Sequence, residues 1–372
     1  MVMGAAAFGG WGLLLPVVPL AVSVGGGSTA VAGATTALFM TTTVLTQLFV
    51  PRLLVRFGHR PVLAAGCVLL GVPALVLVAS AAVVPALAVS AVRGVGFGLL
   101  TVAGAALVAE LAPPALLGRA TGAQGIAVAL SQMVTLPLGL VLFSVSPTAV
   151  FVVGALVSVS GLFAIVFLPA VRPMAPPRRD KSDGRSSARA LVIPCLAVAA
   201  ASASFGGLSS LLPIAEPGRE SMIGVSLAVI SGSMLIGRYG AGAVADRLGI
   251  GRSLAPALLL VFGGGTLFAV AVAVAQRNPA AVFIAAAVLF GLGYGATQND
   301  SLVMTFRAAG PERFSQASAA WNIGFDAGTG AGAMALGVIV GTVGYATGFA
   351  TAASVALAMA AVVAIYSWRR PG

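Results

Sequence analysis

Residues 8–16 read FGGWGLLLP and residues 205–213 read FGGLSSLLP, an offset of 197. The same offset returns at Gly94, Gly96 and Gly98, which match Gly291, Gly293 and Gly295. A third pair, VRFGHR at 55–60 and DRLGIG at 246–251, matches at 191, with Arg56 on Arg247 and Gly58 on Gly249. A six-residue difference in loop length accounts for the change of offset. One unit therefore occurs twice, in the same order, along the chain.

The unit is apolar. Hydrophobic residues make up 59% of the 372 residues, charged residues 8%, and the mean hydropathy is +1.08. A soluble domain carries roughly 25% charged residues. So few charges cannot coat a water-soluble body of this size, and apolar runs of about 20 residues read as membrane spans. Twelve such runs lie at 3–23, 30–50, 61–81, 84–109, 120–144, 148–170, 190–214, 222–244, 253–275, 280–305, 315–341 and 344–367. Turn-like or charged breaks separate them, among them Gly25-Gly26-Gly27-Ser28 and Glu216-Pro217-Gly218-Arg219. The fold class is all-α integral membrane: twelve transmembrane helices in two pseudo-symmetric six-helix halves, 1–170 and 190–372, joined by a basic linker at 171–189. Parallel halves imply a pseudo-twofold axis along the membrane normal, with a cavity between them near the midplane.

Charge sets the orientation. With the N-terminus in the cytoplasm, sixteen of the 20 Lys and Arg residues fall in cytoplasmic loops and tails, two fall outside, and Arg93 and Arg238 lie within spans. Cytoplasmic loops of membrane proteins are enriched in this way. The expectation is a multi-pass protein of the bacterial cytoplasmic membrane with both termini inside. The formal charge of +11 does not point to nucleic acid, because no basic stretch is interleaved with aromatics. Residues 1–20 lack the basic start of a signal peptide and match an internal segment. The first span begins almost at Met1, so the true start lies here or a few residues upstream. Cys67 and Cys195 read as packing residues, and His59 as a solvated loop residue. No metal site and no cofactor are expected. No catalytic motif, phosphate loop or nucleotide-domain-sized polar stretch occurs, so an enzyme or ATP-driven pump is not expected.

The loops carry a resemblance. Gly242-Ala243-Val244-Ala245-Asp246-Arg247-Leu248-Gly249 is similar to the signature after spans two and eight of the major facilitator superfamily, with the form G-x-L-a-D-R-x-G-R-R. The first copy, Pro51-Arg52-Leu53-Leu54-Val55-Arg56-Phe57-Gly58-His59-Arg60, has Pro51 and Val55 where the signature has Gly and Asp. The resemblance covers essentially the whole chain and implies a transporter. It also implies a conformational latch at Arg56, Gly58, Arg60, Arg238, Gly242, Asp246, Arg247 and Gly249. Arg93, with Gly94, Gly96 and Gly98, is similar to the arginine motif of span four that the family associates with proton coupling. WNIGFDAGTGAGA at 321–333 resembles span eleven of bacterial efflux-type members. Of the exporters' Gly-Pro signature in span five, Leu136-Pro137-Leu138-Gly139 is present.

Charges inside spans are the candidates for chemistry, since each costs roughly 2.5–3.5 kcal/mol on insertion scales. Asp326 lies about 16 Å into span eleven. It is either a proton carrier or substrate contact, or a helix-to-helix tie, and Asn322 one turn earlier is placed to hydrogen-bond it. Asp300 is a cap, or pairs with Arg307 or Arg247. Arg93 either binds an anionic group, tunes a proton carrier, or bridges helices through carbonyls. Arg238 is expected to pair with Asp246, and Glu110 to make a gate or loop contact. Trp11, Pro16, Gln124, Pro137, Pro213, Gln298 and Asn299 are candidate cavity-lining residues. Gly324, Gly328 and Gly332 put a small face on span eleven. The expected function is proton-coupled export of a small amphipathic organic compound by alternating access. An importer or facilitator of a polar nutrient, and a non-transporting sensor or partner subunit, stay open. The partners are the lipid bilayer, a small-molecule substrate and protons, with no nucleic acid, and the protein is expected to be monomeric.

Overall fold

The computed structural model describes residues 2–111, 117–168, 184–274, 280–310 and 313–368. Among these, twelve helices are long and apolar enough to cross a membrane. They are α1 (Val2–Val24), α2 (Thr29–Gln47), α3 (His59–Ala79), α4 (Val83–Val108), α5 (Ala123–Val145), α6 (Pro147–Val166), α7 (Ala190–Ala215), α8 (Glu220–Leu248), α9 (Leu254–Ala273), α10 (Ala280–Ala309), α11 (Gln316–Val343) and α12 (Tyr345–Ser367). Every end falls within four residues of its expected place. Most of the expected linker lies outside the described residues. Its last residues, from Gly184, already belong to the helix that continues into α7.

Local chemistry sets the ends. Ser28 caps α2 by accepting from the Val31 amide, and Ser146 caps α6 ahead of Pro147. Gly58 and Gly249 take φ of 78° and 100° at the turns after the short surface helix Val50–Phe57 and after α8. Only glycine adopts that conformation freely. α1 is interrupted at Leu15–Pro16, where proline cannot donate a backbone N–H. Pro137 and Pro213, by contrast, sit inside continuous helices.

The repeat is a packing repeat. A methyl placed on Gly94 would lie 2.1 Å from Phe39 O, and one on Gly291 2.4 Å from Ile230 O. On Gly98 it would lie 2.7 Å from Thr43 O, and on Gly295 2.0 Å from Met234 O. Phe39 and Ile230, like Thr43 and Met234, are 191 apart. So α4 lies on α2 in the same register as α10 on α8, backbone against backbone. In a bilayer, where lipid is as apolar as leucine, such close approach drives helix association. α11 meets α7 likewise: methyls on Gly328 and Gly332 would lie 2.3 and 2.0 Å from Ala199 O and Ala203 O.

The halves meet along two seams, α2 on α11 and α5 on α8. A methyl on Gly33 would lie 2.2 Å from Ala333 O, and one on Gly224 3.1 Å from Pro137 Cα. These glycines are again 191 apart, so the pseudo-twofold relates the seams as well. Toward the face opposite the arginine-rich loops, Thr29 donates to Gly337 O at 2.8 Å and Thr36 shares a 2.9 Å hydroxyl bond with Ser210. That end is closed between the halves.

Candidate functional site

Asp326 sits midway along α11 on the α2 seam and is 3% exposed. Its Oδ2 accepts a hydrogen bond of 2.6 Å from Nε2 of Gln47, the last residue of α2. The same Nε2 lies 3.3 Å from Thr101 Oγ1 on α4. The carboxyl of one half is thus held by an amide of the other. Asn322 is not its partner: that side chain donates back to Ser318 O at 2.8 Å on its own helix. A local acceptor one turn away satisfies the amide without reaching the seam.

At an offset of 191 Gln47 corresponds to Arg238, and at 197 Thr101 corresponds to Gln298. The second pair also meets, with Arg238 Nη2 donating to Gln298 Oε1. Arg238 therefore does not pair with Asp246. The two are eight residues apart, about 12 Å along the helix, and Arg238 turns toward α10 and the other half. A methyl on Gly125 of α5 would lie 3.4 Å from its Nη1. Asp246 and Arg247 are exposed, and among the described residues neither forms an ion pair. Tyr294, which sequence reading passed over, stacks between Phe205 (5.0 Å) and Phe325 (6.3 Å). Its hydroxyl is buried and, among the described residues, makes no hydrogen bond. Its position, 197 beyond Phe97 in the glycine-rich stretch, was the available signal.

A cavity of about 510 Å³ opens at the arginine-rich face. Ala7 and Phe8 of α1, Thr101 and Gly104 of α4, Gln124 of α5 and Phe163 of α6 line it, so it lies within the N-terminal half and not between the halves as expected; Thr101 joins its wall to the Gln47–Asp326 seam. Among the described residues, no charged side chain lines it. Trp11 is buried against Phe97, with ring centroids 5.5 Å apart. Arg93 donates to Leu70 O at 3.0 Å and Gly10 O at 3.2 Å, bridging α3 and α1, and lies 5.6 Å over the Phe39 ring. Of the other expected lining residues, Pro16 forms the break in α1, Pro137 faces Gly224 across the seam, and Pro213 lies within α7. Asn299 is partly buried beside Gly242.

Asp300 pairs with neither Arg307 nor Arg247. Its carboxylate accepts from Gly251 N (2.8 Å), Ser253 N (3.1 Å) and Ser253 Oγ (2.7 Å), capping the loop that starts α9. Three short local donors satisfy it better than an exposed, flexible arginine. His59 is buried, not solvated, and its Nε2 lies 3.7 Å from Glu110 Oε2. Arg60 donates to Leu168 O, and Arg56 lies over the Phe57 ring at 5.2 Å.

Two matched helical halves that meet at a buried polar seam are the architecture of a multi-pass membrane transporter. The model of the Major Facilitator Superfamily matches residues 1–306, and the chain belongs to that family. No curated protein sequence matches it significantly. Among solved structures it is similar to a POT family transporter in complex with a thioalcohol-conjugated peptide, at 14% identity and TM-score 0.78 over 99% of this chain and 96% of that one. It is similar to a point mutant of the nucleoside transporter NupG, at 10% identity and TM-score 0.76 over 98% of each chain. A bacterial homolog of the human lysosomal transporter Spinster, inward-facing and occupied, gives 12% identity and TM-score 0.76 over 98% and 94%. At such identities the likeness is one of fold.

Proposed function

We propose that this transporter exports a small amphipathic organic compound in exchange for protons, with Asp326 as the proton-carrying group. The observation that carries the reading is the Gln47–Asp326 bond across the halves, one hydrogen bond away from the cavity wall at Thr101. An ionised carboxylate held away from water costs several kcal/mol. A neutral Asp326 therefore lets the seam close cheaply, and water reaching it as the seam parts lets it ionise. Loading and unloading a proton changes the cost of closing α2 on α11, and this links a proton to alternating access. The apolar cavity, with Thr101 and Gln124 as its polar groups, suits an amphipathic solute. With the arginine-rich face in the cytoplasm of a bacterial cell, the cavity opens inward, ready to take up an exported compound.

The test is a growth-inhibition panel of amphipathic toxic compounds in an efflux-deficient bacterial host, with equal membrane expression verified. Wild type is expected to protect, and Asp326→Asn or a sub-inhibitory protonophore is expected to reduce growth to the empty-vector level. Full protection by Asp326→Asn would leave the residue as a helix tie. Protection against no compound would favour import of a polar solute, a reading to which the Arg238–Gln298 pair lends support.

A further inference from the structure

Arg93 is 3% exposed, and among the described residues no carboxylate forms an ion pair with it. A guanidinium has five N–H donors. Two carbonyls, Leu70 O and Gly10 O, accept from it, which leaves most of the charge uncompensated in a low-dielectric site. Beside it, Trp11 Nε1 is buried and, among the described residues, makes no hydrogen bond. Both residues line one cavity of about 20 Å³, with Ser90 completing the polar wall. A body the size of one water needs roughly 10–15 Å³. The cavity therefore takes a monatomic ion and excludes an organic solute.

The chemistry of the wall selects the ion. Arg93 supplies positive charge and Trp11 can only donate, while Thr35 and Thr36 have their hydroxyls engaged, with Ala32 O and with Ser210 Oγ. A cation would meet a guanidinium. A water could satisfy Trp11 but would leave the charge unbalanced. We propose that Arg93, Trp11 and Ser90 form a binding site for a small monovalent anion of halide size. The site is distinct from the Asp326 seam and is built within the N-terminal half. At an offset of 197 the other half has Phe290 and Leu208 in place of Arg93 and Trp11, so it has no counterpart. Thr36 lines the cavity and also ties α2 to Ser210 of α7 across the halves. Occupancy therefore stiffens the closed end of the transporter.

The experiment is thermal unfolding of the purified full-length protein at constant ionic strength, titrating chloride or bromide against gluconate. Wild type is expected to show a saturable rise in melting temperature of about 2–4 °C with either halide. Trp11→Phe, which keeps the aromatic packing, is expected to weaken the apparent affinity several-fold, and Arg93→Met to abolish the response. No halide dependence in wild type would overturn the proposal. So would a halide response that survives unchanged in Trp11→Phe, a result that needs no folded Arg93→Met. Because binding is read without transport, the outcome is independent of whether Asp326 carries protons.

Discussion

In the N-terminal half Gln47 of α2 meets Thr101 of α4; in the C-terminal half Arg238 of α8 meets Gln298 of α10. The positions are the same in the repeat, and the backbone contacts around them are in register. What differs is polarity. The N-terminal pair is neutral and sends a donor across the seam to Asp326, while the C-terminal pair carries a charge and directs it toward α5. Conversely, the N-terminal half holds Arg93 where the C-terminal half has Phe290. Backbone packing tolerates no side chain at the matched glycines, so it stays symmetric. Seam side chains need only fit a partner, so they diverge, and a transporter requires such divergence to bind an asymmetric solute.

The largest expected effect tests the shared packing. Gly295→Ala puts a methyl 2.0 Å from Met234 O, and Gly98→Ala puts one 2.7 Å from Thr43 O. Neither obstacle is a flexible side-chain end. Gly295→Ala is expected to destabilise by about 3 kcal/mol and Gly98→Ala by about 1–2 kcal/mol, within the overpacking range. Melting temperatures in detergent should fall in that order. Tolerance of either methyl without loss of stability would break the claim that the halves share one backbone-to-backbone register.

The next effect is confined to one half. Asp300 caps the loop before α9 through three donors, while position 103, 197 residues earlier, is a buried alanine. Asp300→Ala is expected to cost about 2–3 kcal/mol, since the bonds it loses are charge-assisted. Trypsin should then cut faster at the exposed Arg252, with cleavage at the exposed Arg56 unchanged. Equal acceleration at both sites would mean that the cap supports the whole bundle and not its own loop.

The seam comes third. Gln47→Leu removes the donor to Asp326 and is expected to cost about 1.5–3 kcal/mol if that carboxyl is charged, and about 1 kcal/mol if it is neutral. Thr101→Val loses a longer, neutral contact and should cost less than about 1 kcal/mol. The size of the Gln47→Leu loss, read by thermal unfolding, thus reports the charge that Asp326 carries in the closed seam.

Much of this was legible in the residues. Span positions followed from apolar length, and the halves from FGGWGLLLP and FGGLSSLLP. Glycines at an offset of 197 marked α4 and α10 as equivalent spans. The partners were not legible. Asn322 looked the natural companion of Asp326 because helical spacing is visible in sequence, while Gln47 lies 279 residues away. Helical spacing likewise points Arg238 at Asp246, whereas its partner, Gln298, is on another helix. Sequence spacing reveals neighbours on one helix, whereas seam partners depend on how two helices cross. The offset of 191 already equates Gln47 with Arg238 and marks both as one position of the repeat.

The smallest effect concerns the surface loops, where the matched copies differ in one carboxylate. Val55 stands where the second copy has Asp246, and both positions are exposed. Val55→Asp makes the two loops alike in charge. An exposed charge contributes about 0–1 kcal/mol, so melting temperature should hardly move. If a carboxylate here latches one access state, even that contribution shifts the populations of the two states up to about fivefold. Thiol labelling of a cysteine placed at Thr36, buried in the closed end, would report the shift as a changed labelling rate. A changed rate at constant stability would make the missing carboxylate a determinant of which way the transporter rests. An unchanged rate would mean that the second loop alone sets that balance.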